Sequence, residues 1–550
     1  MRTAALLVLA LLVAGCVERP ESPTAPSSPA QYTGAPVAEH LDFAADDGVA
    51  LDIWVFRPDT SATSEKVPVV INYSPYWSNL EKPAADGGDL FSSYLIERYV
   101  PRGYAIALVS VRGTGLSEGC FSIGGPREVQ DADEVATFLA EQPWSNGNVG
   151  ATAKSYDGTS AQYLLATGNP HLRTIVPVSP ISDWYRYTFY GGVAYSGSEQ
   201  FNTQYAQLVS LQQSQDPQDG TYQRTPTRFC DESLDVQLSQ YRTDVTGDYT
   251  DYWAERNYTA MLPATLNASV FYVHGLSDWN VKPDHMRDWI DALHERNVTL
   301  KMWLGQWHHE YPHRGDWNDT LLAWFDSELK GIDNGITSRP LVQVQDSEGI
   351  WRDEDAWPPA RALATAYFPS SDGALAPEPG SGSSMYADGA NGALAQLPFA
   401  GTVAFESAPL DRDVRITGIP VLTATVSATG PRATLAAALL VDGAVVDQGF
   451  LDLAHRNGLQ ASEPMLPGTS YQVTVPFYPQ DIVVHKGSTI TLVLGSAAPP
   501  NAIVNITSAS AGGLVTLTHG EGTVLTLPIV EGEDVRIEAT QPEDLGCWTC

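Results

Sequence analysis

The stretch Asn148-Val149-Gly150-Ala151-Thr152-Ala153-Lys154-Ser155-Tyr156-Asp157-Gly158-Thr159 constrains this chain more than any other. Apolar and small residues run up to Ala153, and small residues resume at Gly158, Thr159, Ser160 and Ala161. That order predicts a short buried strand, a sharp turn carrying Ser155, and a helix that begins at once. A serine in such a turn is pushed out above the sheet edge at a helix N-terminus. There a hydroxyl can be activated and an oxyanion held by backbone N–H groups. The usual elbow pattern G-x-S-x-G is altered, with Ala153 in place of the first glycine and the second one residue late, at Gly158. A serine that merely caps a helix looks the same locally, so chemistry here needs partners elsewhere in the chain.

Around this stretch, strands and helices alternate. Val67–Ser74 and Tyr104–Val111 read as buried strands, and Glu128–Leu139 as an amphipathic helix with Val129, Ala132, Val135, Phe138 and Leu139 on one side. The helix after Ser155 stops at Gly168-Asn169-Pro170, and a strand follows at Thr174–Val178. This βαβ order implies a mostly parallel sheet, an α/β core. The rhythm breaks over residues 184–263, which are rich in Tyr, Gln and Asp and show no buried strand; they are expected to form a helical cap above the strand ends. Strand Ser269–Val273, a helix from Pro283, strand Leu300–Leu304 and helix Leu321–Leu329 complete the unit. Beyond Gly331, short alternating runs such as Val421–Val426, Leu435–Val441 and Thr489–Leu494 predict an all-β sandwich.

The expected organisation is a signal peptide with lipobox (1–16), a flexible linker (17–39), an α/β unit (40–183 and 264–337), the cap (184–263), a β-sandwich of jelly-roll type (338–541) and a tail (542–550). The N-terminal assignment rests on Arg2, an apolar run from Ala4 to Ala14 too short to span a membrane, and Val13-Ala14-Gly15-Cys16, which resembles a bacterial-type lipobox. Cys16 would then carry the lipid, and the protein would be exported and anchored on the outer face of the cell membrane, or secreted if no lipid is added. The chain carries 31 basic against 65 acidic residues, a net charge of −34. Phosphate backbones would be repelled, which excludes nucleic acid as a partner and favours a cationic substrate. Cys120, Cys230, Cys547 and Cys550 can form disulfides outside the cell, with the pairing open. Cys547-Trp548-Thr549-Cys550 lies on a terminal tail and reads as a local staple.

A nucleophilic serine needs an orienting acid and a base, in the order Ser, Asp, His at later strand ends. The strand Ser269–Val273 runs into His274-Gly275-Leu276-Ser277-Asp278, and the strand ending at Leu304 runs into Gly305-Gln306-Trp307-His308-His309. Asp278 and a histidine therefore fall where the acid and base belong. His309-Glu310-Tyr311-Pro312-His313 also spells the zinc signature H-E-x-x-H. That chemistry needs a continuous helix, which Pro312 would break at a cost of about 3 kcal/mol. Neither a metal nor another cofactor is expected.

The chain resembles the Xaa-Pro dipeptidyl-peptidases and their relatives, the cocaine esterases and α-amino-acid ester hydrolases. The resemblance lies in Ser74-Pro75-Tyr76, Lys154-Ser155-Tyr156-x-Gly158-Thr159, Tyr252-Trp253-Ala254-Glu255-Arg256-Asn257-Tyr258, His274-Gly275-Leu276-x-Asp278-Trp279-Asn280-Val281-Lys282 and Trp324-Phe325-Asp326, and it extends into the sandwich at Pro409-Leu410 and Lys486-Gly487. It implies an α/β-hydrolase core with an inserted helical cap and a C-terminal jelly roll. It further implies Ser155 as nucleophile, Asp278 as acid, His309 as base, and the Tyr76 hydroxyl and Tyr156 N–H as an oxyanion hole. The implied reaction is release of Xaa-Pro dipeptides, with hydrolysis of small acyl esters as the alternative. A free substrate amine would meet Glu199, which follows Gly191-Gly192-Val193-Ala194-Tyr195-Ser196-Gly197-Ser198. The implied substrate is thus a peptide or small ester with a free amine, the membrane is expected to be met only through the lipid, and a homodimer stays open. Asp157 departs from the family pattern, and pointing inward it would raise the pKa of the histidine.

Overall fold

The computed structural model describes residues 30–76, 90–195, 227–231, 246–338, 341–388, 401–497, 506–507 and 512–531. Cys16, Glu199, Cys547 and Cys550 lie outside these residues, as do 196–226 and 232–245 of the insertion. The chain enters through the hairpin β1 (Val37–Ala44) and β2 (Ala50–Arg57). It then alternates β3 (Val67–Ser74), α1 (Leu90–Tyr99), β4 (Ala105–Ser110), α2 (Pro126–Ala140), β5 (Ser145–Lys154), α3 (Tyr156–Thr167) and β6 (Leu172–Val178). β3 and β4 are buried at every residue, as expected of parallel strands covered on both faces. Pro126 sits in the first turn of α2, and α3 ends at Gly168 in the left-handed region (φ 70°).

The described part of the insertion holds α4 (Trp184–Thr188), β7 (Phe189–Tyr190), β8 (Val193–Tyr195), α5 (Asp251–Ala254) and α6 (Tyr258–Met261). An insertion without strands was expected, but β7 and β8 form a hairpin whose edge pairs with Ile506–Thr507 of the β domain. Tyr190, Val193 and Tyr195 bury against Ala436, Phe450 and Tyr478. Strands of two and three residues are shorter than any run from which periodicity can be read.

The core resumes with β9 (Ser269–Gly275), α7 (His285–Glu295), β10 (Leu300–Gly305) and α8 (Trp317–Lys330), followed by β11 (Val342–Gln345) and β12 (Trp351–Glu354). These strands form a ten-stranded sheet in the order β1-β2-β4-β3-β5-β6-β9-β10-β11-β12, parallel from β4 to β11. β11 and β12, which lie past residue 338 in the sequence, extend the first sheet. β11 alternates buried and half-buried residues and β12 forms the sheet edge, so both read as sandwich sequence; periodicity carries no information about which sheet a strand joins. α2, α3 and α7 cover one face through Ala132, Leu139, Leu164, Trp289 and Leu293. α1 and α8 cover the other through Leu95, Tyr99, Leu321, Trp324 and Phe325.

The remaining strands are antiparallel and make an all-β domain of two facing sheets. One is centred on Val421–Ala428, where buried and half-buried residues alternate strictly; the other runs through Thr402–Glu406, Ile490–Gly495, Thr434–Val441 and Ala444–Asp452. Leu422, Ala424, Val426, Leu435, Leu439, Leu492 and Leu525 fill the space between them. A buried ion network joins the two domains: Arg415 donates to both oxygens of Asp481 at 2.6 Å and to Glu354 of β12 at 2.6 Å. Among the described residues, no helix is long and apolar enough to cross a membrane.

Candidate active site

In a doubly wound sheet the functional crevice opens beyond the C-terminal ends of the strands, where the strand order reverses. From β3 the chain passes to β4 on one side and then to β5 on the other, so the reversal lies between β3 and β5. Tyr76 stands just past β3, and Ser155 just past β5. Ser155 has φ 66° and ψ −128°, a conformation that costs a non-glycine residue about 1–3 kcal/mol. Its N–H donates to Val178 O at 2.9 Å, tying the turn to β6. A Cβ on Gly158 would lie 2.8 Å from Val178 O and 2.9 Å from Ala153 O. The late glycine thus answers to the close approach of α3 to β5 and β6, and the fully buried Ala153 is small enough for the first position. Asp157 is buried in the first turn of α3; burial raises the pKa of Tyr163, and the Asp157 charge adds to that rise.

The other two candidates lie on loops after adjacent strands. Asp278 is fully buried; its Oδ1 accepts from the N–H groups of Asn280 and Val281 at 3.0 and 2.9 Å, and its Oδ2 is 2.7 Å from His309 Nδ1. Burial pushes the Asp278 carboxyl up, but the charge and hydrogen bond of His309, with help from His274 and the Ser179 hydroxyl, bring it below its ordinary value. A carboxylate only accepts, so Nδ1 of His309 carries the proton and Nε2 is left as the accepting nitrogen. Glycines make this approach possible. A Cβ on Gly275 would meet Trp307 O at 2.2 Å, and one on Gly305 would meet the Trp307 ring at 1.8 Å. His308 turns away, its Nδ1 bonded to Ser277 O at 2.9 Å. From the β domain, Gln480 donates to Leu276 O, while Gln306 of the histidine loop donates to Asp481 O. Lys154 donates to His309 O at 3.2 Å and lies over the Tyr311 ring.

Tyr156 is the first residue of α3, where a backbone N–H has no partner within the helix. Its phenol is bonded to Glu128, and its ring lies edge-on to that of Tyr76 at 6.4 Å. Glu128 also accepts from Ser122 N, Ser122 Oγ and Gly124 N. Burial raises its carboxyl despite these bonds. Amphipathic periodicity gave no hint of Glu128, since an inward acid on α2 reads only as a gap in an apolar stripe. Arg256, from the quoted Tyr252–Tyr258 motif, donates to the carbonyls of Ser122, Ile123 and Tyr252 and so staples the insertion to the same loop. The Cys120–Cys230 disulfide makes a second tie, with Cα atoms 5.0 Å apart.

The zinc alternative fails on geometry. Residues 308–313 are not helical; His309 faces Asp278, and His313 pairs with Glu310 at 2.5 Å. Among the described residues, no three His, Cys, Asp or Glu side chains converge as metal ligands do.

Comparison with known proteins identifies the family. The family model of X-Pro dipeptidyl-peptidase (S15 family) matches residues 47–311, and that of the X-Pro dipeptidyl-peptidase C-terminal non-catalytic domain matches residues 334–523. A Bacillus anthracis protein provisionally named Xaa-Pro dipeptidyl-peptidase is 32% identical over 528 residues, 88% of this chain and 84% of its own length. The chain belongs to the X-Pro dipeptidyl-peptidase family. Like other members of the X-Pro dipeptidyl-peptidase family, it is a serine hydrolase. The Xaa-Pro dipeptidyl-peptidase of Lactobacillus delbrueckii subsp. bulgaricus is 27% identical over 407 residues, 62% of this chain and 50% of that protein. The fold is shared with a CocE/NonD family hydrolase of Staphylococcus aureus (TM-score 0.72, 18% identity, 93% of this chain and all of that one). An α-amino acid ester hydrolase shares it too (TM-score 0.67, 17% identity, 95% of this chain and 100% of that one).

Proposed function

We propose that this member of the family is an exported peptidase that releases N-terminal Xaa-Pro dipeptides through an acyl-enzyme on Ser155. The observation that carries the reading is the 2.7 Å bond from His309 Nδ1 to the buried Asp278, which leaves Nε2 to accept a proton. In the proposed reaction, Ser155 Oγ attacks the carbonyl of the proline and its proton passes to His309 Nε2. Asp278 stabilises the resulting imidazolium, and the tetrahedral oxyanion is held by the Tyr76 hydroxyl and the Tyr156 N–H. His309 then protonates the leaving amine, and water enters by the same route in reverse.

Glu199 is proposed to bind the free α-ammonium of the substrate. Glu199→Gln should then cost roughly ten- to a hundredfold in kcat/KM on free-amine substrates and nothing on N-acylated ones. Export is supported by the apolar run from Ala4 to Ala14 before Cys16 and by the Cys120–Cys230 disulfide, a bond typical of oxidising compartments. A panel of chromogenic Xaa-Pro amides, their N-acylated forms and simple esters tests the assignment. Equal cleavage of free and N-blocked amides, or cleavage of esters alone, replaces the peptidase with a small-acyl esterase on the same triad.

A further inference from the structure

The segment Asp278-Trp279-Asn280-Val281-Lys282 ends in a charge that the proposed reaction does not use. Lys282 is 7% exposed, and its Nζ donates to Asn280 O at 3.2 Å. The ammonium otherwise meets aromatic faces: Tyr195 of β8 with its ring centre 4.0 Å away, and Tyr187 of α4 at 5.3 Å. Both distances lie within the range of cation–π attraction. The two rings are themselves tethered, Tyr187 donating to Asn280 Oδ1 at 2.6 Å and Tyr195 sharing a 2.8 Å hydrogen bond with Tyr478 of the β domain. Trp279, next to Asp278, packs its ring against Tyr478 at 5.6 Å. Lys282 thus stands where the acid loop, the insertion and the β domain meet.

We infer that Lys282 is a positioning residue: its ammonium, held between Tyr195 and Tyr187, sets the loop that presents Asp278 to His309. This rests on Asp278 being the acid and not on the peptidase specificity. The charged groups around Lys282 are Asp278 and Asp284, which favour its cation, and Arg186, which lies 3.9 Å from Asp284; the buried His285 also feels its charge. Burial outweighs the two carboxylates and lowers the lysine to about 8. The folded protein therefore holds fewer protons than the unfolded chain between about 8 and the ordinary lysine value, 10.5. Across that interval this group adds stability as pH rises. A cation kept where neutrality would favour the fold points to a role in the site. Its deprotonation should loosen the acid loop and lower turnover while leaving the fold no less stable.

The test uses the full chain and p-nitrophenyl acetate, an ester with no amine to titrate, from pH 6 to 9.5. A fluorophosphonate counts competent serines, and the thermal midpoint is followed at each pH. The wild type should lose kcat above a limb near pH 8 with no fall in thermal midpoint. Lys282→Met should reduce kcat at pH 7 by roughly tenfold, abolish that limb, and keep or raise the thermal midpoint. Wild-type kcat in Lys282→Met, or the same limb in both proteins, would overturn the inference. Should Lys282→Met fail to label, Tyr195→Leu serves instead. Losing one aromatic face should move the limb down by about half to one pH unit, and an unmoved limb is an equally negative result. Cleavage of the ester without any Xaa-Pro amide leaves this inference standing and removes only the peptidase reading.

Discussion

At the scale of single residues, the site depends on one hydrogen bond and one strained backbone. His309 reaches Asp278 through Nδ1, whereas His308 is spent on Ser277 O. Ser155→Ala, Asp278→Asn and His309→Ala should therefore each lower kcat by about 10⁴ or more, with circular dichroism unchanged. The double variant Ser155→Ala/His309→Ala should be little worse than Ser155→Ala, because triad members act as a unit. His308→Ala should stay within tenfold of wild type. Activity lost in His308→Ala but kept in His309→Ala would reverse the assignment. The choice of His309 as the proposed base was legible only through the resemblance, since two adjacent histidines after one strand look alike until their rings point apart.

At the scale of elements, the strand–Ser155–helix unit depends on how closely α3 lies on its strands. Gly158→Ala would put a methyl 2.8 Å from Val178 O and 2.9 Å from Ala153 O, and backbone cannot yield as a flexible side chain does. The expected cost is about 1–3 kcal/mol of stability, read from urea melts, with a larger loss of kcat because the helix carries Ser155 and Tyr156. A variant as stable and active as wild type would mean that α3 can shift freely. The elbow's existence was visible in the order of small residues. Its displaced glycine was explained only by the packing of the helix against two strand carbonyls.

The insertion is held by longer-range ties. The Cys120–Cys230 bond closes a loop across 110 residues. Replacing both cysteines by serine should cost about 2–5 kcal/mol if the chain-entropy account holds. Thermal melts of the oxidised and double-serine proteins would measure it. The pairing followed from proximity alone, since four candidate cysteines left it open in the sequence.

At the scale of the whole molecule, the β domain is coupled to the site through buried polar contacts. Arg415, Asp481 and Glu354 have fully buried side chains at the seam with β12, and Gln480, on the same strand as Asp481, reaches the acid loop. Arg415→Met leaves two buried carboxylates without their shared cation and should cost about 3–5 kcal/mol. Adding Asp481→Leu and Glu354→Gln should recover much of that loss, measured by denaturant unfolding. No recovery would mean that the network's geometry, rather than its charge balance, holds the domains. If Cys16 is the lipidated end, Cys16→Ser should move the protein from membranes to the soluble fraction, whereas a wild-type protein wholly soluble after processing removes the anchor.

Sequence by itself determined the class of fold, the order of the core elements and three candidate residues, each just past the end of its own strand. It could do so because buried parallel strands are continuous apolar runs, and because reactive side chains lie just past them. The tertiary structure decided which sheet β11 and β12 join, that Tyr190, Val193 and Tyr195 make a hairpin against the β domain, and that Glu128, Arg256 and Lys282 face inward. Those outcomes depend on partners distant in the chain: an edge strand takes whichever neighbour the fold offers, and a buried charge survives only where other segments bring it acceptors. Local pattern records the period of an element and the residues at its ends, while pairing between remote segments belongs to the folded molecule.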